Sequence, residues 1–150
     1  MTDDYGIRAT KHAWLGIDPG VTTGWALVDD SGALQASGNL PEDHLRTGLD
    51  DLVRHLHREG LLRLDAVIEN MPRVGGMGRL AKRLEDVRRI ITEVIEDVYE
   101  IPTQRVAPGE WKPSRVARET RFGRGKMTPH ERDAARMAMY VRSREWEHEV

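Results

Sequence analysis

The spacing of apolar residues changes several times along this chain, and each change predicts an element. Ala13, Trp14, Leu15 and Ile17 form a short run with little polar interruption, read as a strand over 13–17 that is buried on both faces. A second such run covers 24–28. Asp29-Asp30-Ser31-Gly32 is a hairpin turn signal, so a third, antiparallel strand is expected over 33–38, after which Gly38-Asn39-Leu40-Pro41 breaks the chain. Leu45, Leu49, Leu52 and Leu56 recur at helical spacing within 43–59, with Gly60 as the stop. His44, His55 and His57 on or near this helix converge on no metal pattern and read as solvated surface.

A short buried strand over 64–68 ends on Glu69, and the loop 70–78 is rich in glycine. Leu80, Leu84, Val87, Ile91, Val94 and Val98 then keep a four-three rhythm, widened by Ile90 and Ile95, which predicts one long helix over 79–100. That stripe is wide enough to cover a sheet and leave apolar surface for a second subunit. A fifth strand is expected over 103–107, a short helix from Pro108 through Lys112, and a basic loop over 118–126. Thr128-Pro129-His130-Glu131 has the features of a helix start: a capping threonine, a proline at the first helical position and a glutamate completing a capping box. Ala134, Met137, Ala138 and Val141 give this last helix an inner face.

The order strand-strand-strand-helix-strand-helix-strand-helix predicts an α/β domain with a mixed five-stranded sheet: three antiparallel strands, then parallel additions, flanked by helices. One domain over 13–142 is expected, with a loose tail over 1–12 and a charged, fraying tail over 143–150. If the first and fourth strands are parallel neighbours, Asp18 and Glu69 emerge at one sheet edge, and the last helix can bring Asp133 to them.

Charge sharpens this picture. The net charge of −2 excludes a uniformly basic nucleic-acid binder, but basic residues cluster. Arg73, Arg79, Lys82, Arg83, Arg88 and Arg89 crowd one segment; Arg105, Lys112, Arg115, Arg118, Arg121, Arg124 and Lys126 crowd another. Such patches suit a phosphate-reading surface, although two solvated loops would look the same. The absence of cysteine excludes disulfides, a thiol nucleophile and a cysteine zinc site, and it suits a cytoplasmic protein. No apolar run approaches a bilayer span, and no signal-peptide pattern is visible.

Carboxylates on rigid strand ends favour hard cations such as magnesium or manganese. Two such ions can hold an attacking water and a leaving oxygen in line across a phosphodiester. His130 and Asp133, at i and i+3, share a helix face, and His130 could ligate a metal, orient water or move a proton. Each residue also has a plain structural reading. An aspartate before Pro-Gly commonly just forms a turn, and a charged first turn commonly just decorates a helix start. The combination is what points to a site.

At these residues the chain resembles the RuvC-type Holliday junction resolvases, within the ribonuclease H-like nuclease superfamily. Gly16-Ile17-Asp18-Pro19-Gly20 with Thr23-Gly24-Trp25-Ala26, then Val67-Ile68-Glu69-Asn70, then His130-Glu131-Arg132-Asp133-Ala134 carry the resemblance, in the family's order. It implies a crossover junction endonuclease that uses two Mg2+ ions, with Mn2+ as a substitute, and works as a homodimer on branched DNA such as four-way junctions. Asp18 would bridge the two ions, Glu69 would bind one and Asp133 the other. His130 stands where family members carry Asp or His. Lys112 and Lys126 fall where the family uses lysines near the scissile phosphate, and Arg73, Arg79, Lys82, Arg115, Arg121 and Arg124 are further DNA-binding candidates. The loop 71–78 lacks the aromatic wedge common in the family, which implies looser selectivity, as in phage-type relatives. Trp111 and Phe122 are the aromatics near basic segments.

Two other classes stay open at this level. An actin-like ATP-binding fold also opens with an Asp-x-Gly-x-Thr turn, which Asp18-Pro19-Gly20-Val21-Thr22 satisfies, but it needs two domains. A non-catalytic DNA-binding module is the other, opposed by the presence of Asp18, Glu69 and Asp133 together.

Overall fold

The computed structural model describes residues 11–58, 63–70, 78–119 and 127–148. Five strands form one mixed sheet: β1 (His12–Asp18), β2 (Thr22–Asp29), β3 (Leu34–Pro41), β4 (Arg63–Glu69) and β5 (Thr103–Val106), in the spatial order β3-β2-β1-β4-β5. β1–β2 and β2–β3 are antiparallel, whereas β1–β4 and β4–β5 are parallel. The Asp29 carboxylate closes the β2–β3 hairpin by accepting from the backbone N–H groups of Ser31 and Ala33, an Asx turn with Gly32 at φ 85°.

Alternation along the strands decides which face each residue meets. Leu15, Ile17, Leu27, Ala66 and Ile68 pack with α1 (Leu45–Arg58) and α2 (Gly78–Thr92). Trp14, Val28, Val67 and Val106 pack on the opposite face with Trp111 of α3 (Pro108–Trp111), Ala117 of α4 (Arg115–Glu119) and Met137, Ala138 and Val141 of α5 (Pro129–His148). By the same parity Asp18, two residues beyond Gly16, and Glu69, two beyond Val67, belong to the α5 face.

Glycine lets α5 lie directly on the strands. A β-carbon on Gly16 would sit 1.9 Å from the carbonyl oxygen of Ala134, and one on Gly24 would sit 2.5 Å from the backbone carbon of His130. Small residues continue the contact, with Ala26, Ala134 and Ala135 fully buried. The capping box forms as the sequence predicts: Glu131 N–H donates to Thr128 Oγ1 (3.2 Å), and Thr128 N–H donates to Glu131 Oε2 (2.8 Å). Ser37 and Asn39 of β3 donate to the same carboxylate at 2.8 and 3.0 Å. Burial pushes the Glu131 carboxyl up, but these donors outweigh it and hold the group below its ordinary value. A depressed carboxyl contributes stability above its unfolded pKa, and that contribution is lost as pH falls through the folded value. Glu131→Ala is therefore expected to cost about 2 kcal/mol at pH 7, and less near pH 4, in urea unfolding.

Several sequence expectations need correction. β3 runs through 38–41 rather than breaking there, because Gly38, Asn39 and Leu40 pair with Trp25, Gly24 and Thr23; Pro41 is tolerated at the end of an edge strand. The helix expected over 79–100 is regular only to Thr92 and continues as a π-helical stretch, Glu93–Val98, in which Val94 and Ile95 are both buried. Its early stripe is not core: Leu80 is 37% exposed. Val98, at 63%, is the most exposed large apolar residue among those described. His55 is buried rather than solvated, while His44 and His57 are exposed. α5 continues to His148 through residues expected to fray, tied down by Glu145, which accepts from Trp14 and Gln104, and by the Arg144–Glu110 pair. Among the described residues no helix is long and apolar enough to cross a membrane. The loop 71–77, the tail 1–10, Arg73, Arg121, Phe122, Arg124 and Lys126 lie outside the described residues.

Candidate active site

In the β1–β4 pairing Ile17 stands opposite Ile68, so the next residues, Asp18 and Glu69, leave neighbouring parallel strands at the same edge. Both carboxylates are sequestered, at 6% and 5% exposure. α5 begins directly above them, since its first turn rests on Gly24 and its second on Gly16. His130 Nδ1 lies 3.0 Å from Asp18 Oδ2, and Asp133 acts electrostatically on both strand-end acids. The four residues singled out from the sequence therefore meet at one place.

A fifth group was not foreseen. The Trp111 indole N–H donates to Glu69 Oε2 at 2.9 Å, and Trp111 is only 1% exposed. Sequence spacing suggested a packed helix residue, and the packing is real, but the ring also fixes a carboxylate. Lys112 follows on the same short helix, with Nζ 5.6 Å from the centre of the Trp111 ring. Arg79 and Lys82 are exposed on the first turns of α2, and Arg115 is exposed at the start of α4.

The electrostatics are those of anions brought together out of water. Burial is the largest influence on Asp18 and raises its carboxyl above the ordinary range; His130 and Lys112 pull it down, Asp133 pushes it up, and the net direction is up. Glu69 is raised by burial first and by Asp18 and Asp133, against the pull of the Trp111 indole and Lys112. A hard divalent cation relieves both causes, and the donor set of three carboxylates and one imidazole suits magnesium or manganese. No three of these four residues bring their ligating atoms within 4.8 Å of one another.

Among the described residues one trio does close to that distance, and it lies elsewhere: His12, Asp65 and Glu145. It sits at the opposite end of the sheet, about 22 Å along α5 from His130 at a helical rise of about 1.5 Å per residue. Asp65 faces His12 and Arg63, and the two Glu145 oxygens accept from Trp14 and Gln104. Protein donors already satisfy this cluster. It is a clasp for the far end of α5, not the site read from the sequence.

Trp111→Phe is expected to keep the packing and lose the hydrogen bond to Glu69. Any divalent-cation binding at the site should weaken about tenfold, as read from the Mn2+ or Mg2+ dependence of the thermal midpoint.

The mixed sheet in the order β3-β2-β1-β4-β5, with helices on both faces, is the fold of solved RuvC structures. The structure of Thermus thermophilus RuvC in complex with Holliday junction substrate superposes with a TM-score of 0.70 at 14% identity, covering 90% of this chain and 96% of that one. A second Thermus thermophilus RuvC structure gives 0.67 at 15% identity, with the same coverage of each chain. The sequence itself matches no family profile and no curated protein.

Proposed function

We propose that this chain is a metal-dependent endonuclease that hydrolyses phosphodiester bonds in branched DNA, a Holliday junction resolvase-like enzyme. The observation that carries the reading is the convergence of Asp18, Glu69, His130 and Asp133 at one sheet edge in this fold, with both strand-end carboxyls pushed up by burial first and by neighbouring acids, Asp133 for both and Asp18 also for Glu69. The Thermus thermophilus neighbour, whose structure holds a Holliday junction substrate, supports the choice of substrate.

Asp18, Glu69, Asp133 and His130 would hold two Mg2+ ions. Bound there, the ions would supply a water of lowered pKa as the nucleophile and charge stabilisation at the phosphate. The chain's own residues do the rest. The Trp111 indole holds the Glu69 carboxylate in one orientation, and α5 fixes Asp133 relative to the strands. His130, half exposed with Nδ1 turned to Asp18, has Nε2 left, and that one nitrogen would either ligate a metal ion or carry a proton to or from the reacting oxygen. Lys112 offers a cation beside the site for a phosphate oxygen. A homodimer would cut both strands symmetrically, with Leu80 and Val98 along 79–100 as the apolar surface for its partner.

A second reading, a phage-type nuclease acting on several branched structures, is favoured by the absence of an aromatic in the loop 71–78. One experiment tests both. The protein is incubated with a four-way junction, a replication fork, linear duplex and an RNA–DNA hybrid, with and without Mg2+, beside Asp18→Asn. Selective junction cleavage supports the resolvase, and equal cleavage of the fork supports the broader enzyme. Equal cutting of linear duplex removes the branched-DNA assignment, and unchanged cutting by Asp18→Asn removes the site.

A further inference from the structure

Beside the proposed metal ligands lies an open cleft of about 390 Å3, lined by Trp111, Lys112, Ala117, Arg118, Asp133 and Arg136. α3 and α4 form one wall and α5 the other. Arg136 is the unusual member. It is partly buried, its Nε is sequestered without a hydrogen-bond partner, and among the described residues it pairs with no carboxylate. Several arginines elsewhere are matched, Arg46 with Glu93, Arg83 with Glu42, Arg105 with Glu96 and Arg144 with Glu110, and Arg58, Arg79 and Arg132, which have no such partner among the described residues, are exposed to water. Arg88 also has a sequestered Nε, but it lines a groove with Glu85 and Asp86. A guanidinium whose Nε is sequestered without a partner, and whose charge is matched by no carboxylate among the described residues, calls for an explanation.

We infer that this cleft is a phosphate-binding site anchored by Arg136, with Lys112 and Arg118 beside it, and that it holds a backbone phosphate of a nucleic-acid strand next to the one being cut. Arg136 stands one turn beyond Asp133 on α5, so a phosphate in the cleft lies a short step from the metal ligands. The planar guanidinium offers paired N–H donors that match phosphate oxygens, which a lysine cannot do. Asp133 shares the cleft, and its charge is the one committed to the divalent cation in the nuclease reading. Only the identity of the ligand rests on that reading; the unmatched cation does not.

Two measurements without divalent metal test the site. The first titrates 15N-labelled protein with inorganic phosphate at constant ionic strength and follows the Trp111 indole N–H signal, which reports from the cleft wall. A saturable shift is expected in the parent, and Arg136→Gln should abolish it. The second measures binding of a fluorescent four-way junction across a NaCl series. Arg136→Gln should weaken affinity about fivefold to tenfold and reduce the salt slope by about one unit. Arg136→Lys should recover the slope but only part of the affinity. Arg54→Gln, on the opposite face of the sheet, should change neither. Circular dichroism checks that each variant is folded, and Arg136→Lys carries the comparison should Arg136→Gln unfold.

No indole shift in the parent, or junction binding by Arg136→Gln with unchanged affinity and slope, overturns the inference. The two readings separate cleanly. Phosphate binding at Trp111 in a protein that cuts no branched DNA leaves the cleft standing and removes the nuclease. Junction cleavage with no contribution from Arg136 leaves the nuclease and removes the cleft.

Discussion

Asp18→Asn is expected to abolish cleavage and, at the same time, to stabilise the metal-free protein. Asp18 and Glu69 are both raised by burial and by neighbouring acids. A carboxyl raised in the folded state contributes stability below its unfolded pKa, and that contribution is lost as pH rises through the folded value. At pH 7 the native state therefore carries ionised groups it disfavours, and an amide of the same shape removes one of them. The expected gain is about 1 kcal/mol, or about 2–4 °C in the thermal midpoint. It should shrink as pH falls below the ordinary aspartate value of 3.8, where the carboxyl takes up its proton in both states. Added Mg2+ should raise the midpoint of the parent by mass action and that of Asp18→Asn much less. Cleavage should fall at least about a thousandfold. Scanning calorimetry across pH, with and without Mg2+, gives a readout independent of substrate. A variant less stable than the parent at pH 7 would contradict the electrostatic account.

Gly16→Ala is expected to damage folding and chemistry together. Its new methyl group would lie 1.9 Å from the Ala134 carbonyl oxygen, a backbone atom that no rotamer change can move. Either the helix lifts or the strand bends, at about 3 kcal/mol and roughly 10 °C in thermal midpoint. Because His130 and Asp133 ride on the lifted turns, cleavage by the folded fraction should also fall. Gly24→Ala should behave alike, meeting the His130 backbone at 2.5 Å. Gly109→Ala, which meets nothing within 4 Å, should leave the thermal midpoint unchanged.

Much of this architecture was legible because it is local. The apolar runs in 13–17 and 24–28, the Asp29 turn and the Thr128–Glu131 box are written in adjacent residues, and they appear in the fold as read. The gathering of Asp18, Glu69, His130 and Asp133 followed from element order plus one assumption, a parallel β1–β4 pair, which the register bears out. What the sequence hid depends on partners far along the chain. Nothing near Gly16 and Gly24 announces why glycine stands there, and only α5, more than a hundred positions later, gives them a purpose. Trp111 looked like packing because nothing nearby announces Glu69 as its acceptor. Arg136 carries no signal in the sequence, since no local pattern records a missing counter-ion. His55 was misread for a related cause: a histidine among leucines is polar by type but is buried by the face it occupies.

The seating of α5 on bare glycine backbone has a consequence for how such an enzyme can change. Three of the four proposed metal-holding side chains belong to β1 and α5, whose backbones touch at Gly16. The facing wall is built from two helices of four and five residues, α3 and α4. In the proposed enzyme, adjustment to a bent strand would fall to that thinner wall, and changes there would alter which strand fits before they alter the groups on the sheet.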